Sequence, residues 1–116
     1  MAKALKKFPA VFYRSANGRE PVRDWLQGLS AGEKAIVGRD IATAEFGWPI
    51  GMPVCRPLGS GLWEIRSGLP DGRQARVIFC ECDGRMVLLN GFVKKTRKTP
   101  LAEIRLAAAR RRKLSA

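Results

Sequence analysis

Leu62-Trp63-Glu64-Ile65-Arg66-Ser67 is followed by Leu69-Pro70-Asp71-Gly72, then by Gln74-Ala75-Arg76-Val77-Ile78-Phe79-Cys80-Glu81. Asp83-Gly84 comes next, and then Met86-Val87-Leu88-Leu89-Asn90-Gly91-Phe92-Val93. Three runs rich in β-branched and aromatic residues are thus separated by short turn signals, the pattern of an antiparallel meander. Leu62, Glu64 and Arg66 alternate with Trp63 and Ile65, and Ala75, Val77 and Phe79 alternate with Gln74, Arg76 and Ile78. Side chains in a strand point to opposite faces in turn, so one face of this sheet reads as apolar and the other as polar.

On the N-terminal side, residues 8–13 read as a further strand, with Pro9 suited to an edge. That strand is expected to pair inside the sheet. Asn17-Gly18 marks a turn, and Pro21 suits the first position of a short helix reaching residue 27. Val22, Trp25, Leu26 and Leu29 share one side of it. Ser30 and Glu33 have capping-box spacing for a second helix, with Ala35, Ile36, Ile41, Ala42 and Phe46 as its expected buried face. Residues 47–61, rich in Gly and Pro, read as a long loop carrying Trp48, Met52 and Arg56. Trp48 either stacks on a base or anchors the loop to the core. On the C-terminal side, Thr99 reads as the cap of a last helix with Pro100 at its first position, and Leu101, Ile104 and Ala108 form a narrow apolar stripe. The expected fold is α+β, in the order β-α-α-β-β-β-α, as one domain over residues 1–116.

Composition narrows the function. The chain has 116 residues, 46% hydrophobic and 28% charged, an ordinary globular balance. No stretch approaches the roughly 20 apolar residues of a membrane span, and no apolar run follows the basic N-terminus as in a signal peptide. A cytoplasmic location, away from membranes, is expected. Cys55, Cys80 and Cys82 are an odd count, which argues against a disulfide framework and reads as small buried thiols. With no histidine and no CxxC spacing, no metal and no cofactor are expected.

The charge is lopsided. Lys and Arg number 22 against 10 Asp and Glu, for a net +12. From Lys94 onward, nine basic residues (Lys94, Lys95, Arg97, Lys98, Arg105, Arg110, Arg111, Arg112, Lys113) face one acid, Glu103, so that segment carries +8. Such a field attracts a polyanion, and nucleic acid is the leading choice over an acidic protein or an anionic membrane. Arg56, Arg97, Lys98, Arg110, Arg111, Arg112 and Lys113 are the candidate nucleic-acid contacts.

Three runs carry a resemblance. Trp48-Pro49-Ile50-Gly51-Met52-Pro53, Gly61-Leu62-Trp63-Glu64-Ile65-Arg66, and Leu88-Leu89-Asn90-Gly91-Phe92-Val93-Lys94-Lys95-Thr96-Arg97-Lys98-Thr99-Pro100 resemble the phage-derived HigB-like branch of the RelE/ParE toxin superfamily. The likeness spans roughly residues 8–113. It implies the RelE-like fold and the toxin component of a type II toxin–antitoxin system. It also implies ribosome-dependent endoribonuclease action on mRNA. The partners it implies are a cognate helix-turn-helix antitoxin, the ribosome with its mRNA, and a higher-order toxin–antitoxin complex. Many relatives have His where this chain has Asn90.

RNA is cut without a metal when a 2′-hydroxyl attacks the adjacent phosphorus. Without histidine, proton transfer falls to Lys, Tyr, Asp or Glu. Arginine stays protonated, but its planar fork suits phosphate oxygens. Arg66 and Arg76 are assigned to phosphate and transition-state binding. Lys94 or Lys95 is the proton-transfer candidate, because neighbouring ammonium groups lower each other's pKa. Glu64 is a possible base or an ion-pair partner, and Asn90 a possible accessory group. In the RelE pattern the polar strand positions and the basic segment after the third strand carry the active site; Arg66, Arg76 and Lys95 match those places in kind. A non-enzymatic nucleic-acid binder and a gyrase-directed toxin of the same fold stay open as alternatives.

Overall fold

The computed structural model describes residues 6–94 and 98–114. Its elements run β1 (Ala10–Phe12), α1 (Pro21–Gln27), α2 (Ala31–Gly47), β2 (Cys55–Gly59), β3 (Leu62–Gly68), β4 (Gln74–Cys82), β5 (Arg85–Lys94) and α3 (Leu101–Leu114). The sheet order is β1-β5-β4-β3-β2. The expected meander is present, since β3, β4 and β5 pair antiparallel in sequence. Asp83 and Gly84 both adopt positive φ in the β4–β5 turn, the backbone that a two-residue hairpin demands. The architecture is α+β, with a mostly antiparallel sheet consistent with a RelE-like fold.

Three expectations change. Residues 47–61 are not all loop: Cys55–Gly59 forms β2, antiparallel to β3, with a register shift between Pro57 and Gly59. Pro57 and Gly59 hid it, since both are poor strand formers, but an edge tolerates a residue with no N–H to donate. The first strand is only Ala10–Phe12, and it lies at the opposite edge, parallel to β5, rather than inside the sheet. In α2 the buried residues are Val37, Ile41, Ala44 and Glu45, whereas Ala35 and Phe46 are exposed. Glu45 is buried because its carboxylate accepts the Ala10 N–H at 2.8 Å and meets Lys6 Nζ at 3.1 Å.

The capping box forms as read: Ser30 Oγ accepts the Glu33 N–H, and Glu33 Oε1 accepts the Ser30 N–H at 3.0 Å. Pro21 opens α1. These two helices cover one face of the sheet, where Val22, Val37 and Ile41 pack on Ile65, Val77, Phe79 and Leu88. Trp48 anchors its loop there, stacked on Phe8 at 4.9 Å and edge-on to Trp63 and Phe79. The other face is not simply polar. Ile78, Cys80, Val87, Leu89 and Phe92 pack there with Ile104 and Ala107 of α3. All three cysteines are free thiols, Cys55 and Cys80 buried, and burial pushes the Cys55 thiol up to about 11, with Asp40 adding to it.

One irregularity positions the site. Ile78 pairs with Asn90 and Phe79 with Leu88, so Leu89 is the extra residue of a β-bulge. Before it, Met86 and Leu88 face α1 and α2; after it, Phe92 faces α3 while Gly91 and Val93 face the other way. The bulge thereby turns the even-numbered positions of β5 over to the α3 side, and Lys94 goes with them.

Candidate functional site

The α3 face of the sheet is apolar under the helix and cationic beyond its N-terminal end. Register puts Arg56 opposite Glu64, Glu64 opposite Ile78, Arg66 opposite Arg76, and Gln74 opposite Lys94. Arg56, Glu64, Arg66, Gln74, Arg76 and Lys94 therefore share one face across four neighbouring strands, which lie about 4.8 Å apart. Two arginines directly opposed across strands repel and oppose folding. Their juxtaposition requires either a counter-charge or an anionic ligand.

The counter-charge is Glu64. It is wholly buried, and Arg76 is 1% exposed. Thr99 donates its hydroxyl to Glu64 Oε2 at 2.5 Å. The other carboxylate oxygen, Oε1, faces Arg76 Nε at 3.7 Å, and neither atom makes a hydrogen bond among the described residues. The guanidinium is held from its far side, where Arg76 Nη1 donates to the Ala75 carbonyl at 3.0 Å and Nη2 donates to Gln74 Oε1. Burial lowers the Arg76 pKa most; Glu64 opposes that, while Arg66 and Arg56 add to it.

Lys94 is buried as the last residue of β5. Burial is the first cause that lowers its pKa and Arg76 the second; Glu64 works against them, and Arg66 and Arg56 with them. A lysine in such a place loses its proton more readily than one in water. Arg66 is half-buried, its Nη1 3.4 Å from Met52 Sδ. Met52, Pro53, Arg66, Ser67, Gly68, Gln74 and Arg76 enclose a cleft of about 270 Å³. Two cations thus line an open space fronted by an exposed methionine, with a depressed lysine on the same face.

Other candidates separate from this group. Asn90 lies within β5, and its amide donates to the Glu103 carbonyl at 3.2 Å, tying the sheet to α3. Arg110 donates to the Leu89 carbonyl at 2.8 Å and lies over the Tyr13 ring, so it braces α3. Arg111 lies against Gly61 of the β2–β3 turn. Arg112, Lys113 and Lys98 are exposed. Lys95 and Arg97 lie outside the described residues. Among the described residues no group of His, Cys, Asp and Glu could hold a metal ion, and no helix is long and apolar enough to cross a membrane.

Three residues of the arrangement were not singled out by their pattern. Gln74 could have been, since it is two residues from Arg76 and so on the same face. Thr99 reads as a helix cap, but α3 begins at Leu101 and the Thr99 hydroxyl goes to Glu64. No local pattern announces a bond to a residue 35 positions away. Met52 was noted in its loop, without its contact to Arg66.

A family model described as Phage derived protein Gp49-like matches residues 24–112, from the middle of α1 through most of α3. No curated protein sequence matches the chain.

Proposed function

The chain belongs to the phage-derived Gp49-like family, part of the RelE/HigB-like toxins and generally the toxin of a toxin–antitoxin system, and on that premise we propose that its cationic cleft cuts ribosome-bound mRNA. The observation that carries this reading is the buried Glu64–Arg76 pair set beside Arg66 and Lys94 on one face. An attraction surface needs only exposed cations. Burying a charge is costly, and a lysine held toward its neutral form suits proton transfer rather than simple attraction.

In this reading Lys94, neutral, takes the proton of the 2′-hydroxyl. The 2′-oxygen attacks the adjacent phosphorus, the bond from phosphorus to the 5′-oxygen breaks, and the departing oxygen is protonated by Lys95 or by water. Arg66 holds the non-bridging oxygens through its fork and stabilises the charge of the phosphorane. Arg76, behind it, adds positive charge at close range and, after burial, helps to lower the Lys94 pKa. Glu64 serves as the counter-ion that keeps Arg76 in place, not as the base, because it is wholly buried, with Thr99 bonded to one oxygen and the Arg76 guanidinium facing the other. The exposed arginines of α3 and Arg56 serve the ribosome and the RNA backbone. The cognate antitoxin, a helix-turn-helix protein, is the inhibitor.

The test is single-turnover cleavage of end-labelled mRNA on ribosomes. Cleavage is expected to leave a 2′,3′-cyclic phosphate and to stop when the scissile nucleotide is 2′-deoxy. Undiminished cutting of the deoxy substrate would exclude this chemistry, and an absence of cutting with retained RNA binding would make the chain a basic binder.

A further inference from the structure

A second groove lies apart from the cationic cleft and shares no residue with it. Its walls are the connection after β1 and the C-terminal half of α3, and it encloses about 530 Å³. Leu106, Ala109, Arg110 and Lys113 line it from α3. Their spacing of i, i+3, i+4 and i+7 makes them one stripe of the helix. A different stripe, with Ile104, Ala107, Ala108 and Leu114, packs on the sheet. The stripe on the groove is mixed, with Leu106 and Ala109 beside Arg110 and Lys113, and Leu106 is 40% exposed, which leaves an apolar side chain in the open among cations. Across the groove stand Ala16, Pro21 and Arg19. The lining holds three cations and no carboxylate. Arg110 is fixed by its bond to the Leu89 carbonyl and its place over the Tyr13 ring, 5.8 Å from the centroid.

We propose that this groove is a docking site for the antitoxin, which inserts an acidic, amphipathic segment: an apolar side chain seats on Leu106 and Ala109, and flanking carboxylates meet Arg19 and Lys113. The proposal rests on the toxin–antitoxin reading and is independent of RNA cleavage. Charge complementarity selects an acidic occupant. The apolar floor selects protein over RNA, since a phosphate backbone gains nothing by covering Leu106. Arg110, already immobilised, presents its remaining donors with little further loss of side-chain freedom.

Calorimetric titration of the full-length chain with the purified product of the adjacent reading frame tests this. Leu106→Glu and Lys113→Glu are each expected to raise Kd about tenfold or more. Arg39→Glu, an equal charge reversal on exposed α2, is expected to leave it unchanged. If Leu106→Glu lowers the melting temperature, Lys113→Glu, at an exposed position of the last turn, carries the comparison alone. Unchanged affinity in these variants, with loss in Arg66→Glu, overturns the proposal and moves the antitoxin to the cleft. Intact antitoxin affinity with lost ribosome affinity also overturns it and makes the groove an RNA contact. A wild-type chain that cleaves mRNA but binds no antitoxin removes the toxin–antitoxin reading itself.

Discussion

Glu64 Oε1 and Arg76 Nε face one another at 3.7 Å in the protein interior, each without a hydrogen bond among the described residues, while Thr99 holds the second carboxylate oxygen. The pair costs stability to bury and costs more to break. Glu64→Ala is expected to destabilise by about 3–5 kcal/mol, because it strands a buried guanidinium. The double replacement Glu64→Leu with Arg76→Met is expected to regain most of that while abolishing cleavage. Urea unfolding measures the first effect and single-turnover cleavage the second; a double variant no more stable than Glu64→Ala would contradict the account.

The depressed Lys94 pKa has a definite sign in two measurements. Its folded value lies below the ordinary lysine value of 10.5. Between the folded value and 10.5 the unfolded chain binds more protons, so Lys94 makes stability rise with pH across that window and imposes its full penalty below it. If neutral Lys94 is the base, the cleavage rate climbs with pH and levels off below 10.5. Arg76→Gln removes the second-largest cause of the depression and is expected to move the midpoint of the rate profile to higher pH. A profile that does not move argues against Lys94 as the titrating group.

Chemistry and attraction separate by kinetics. Lys94→Ala and Arg66→Ala are each expected to lower the saturating single-turnover rate about 10²-fold or more, with a far smaller fall in ribosome affinity. Arg112→Ala, exposed on α3, should instead weaken binding and reduce the slope of affinity against salt by roughly 0.7 to 0.9. Its rate at saturation should stay near wild type. Unchanged saturating rates in both Lys94→Ala and Arg66→Ala would take these residues out of the reaction.

Gly91 is required by packing, not by a turn. A Cβ there would sit 2.3 Å from Trp25 Cε3, so the α1 indole lies flat against the β5 backbone. Gly91→Ala is expected to destabilise by about 1–3 kcal/mol through overpacking, and adding Trp25→Leu should recover part of it. Thermal melts of the single and double variants give the comparison; additive losses would mean that the two residues do not interact.

The meander, the capping box, Pro21 at the start of α1 and the +8 C-terminal segment were all legible in the sequence, because each depends on neighbours within a few residues. Alternation alone also put Glu64 and Arg66, and Gln74 and Arg76, on common faces. The side on which Lys94 stands was not legible. That depends on the bulge at Leu89, which reverses the parity of β5 through its pairing with β4 and has no marker in Leu88-Leu89-Asn90. The partners of Glu64 are equally non-local, since Thr99 lies 35 positions away. Local propensity sets which segments are strands and helices. Strand register and the helix crossing over the sheet decide which charges meet, and those are fixed only when the whole core packs.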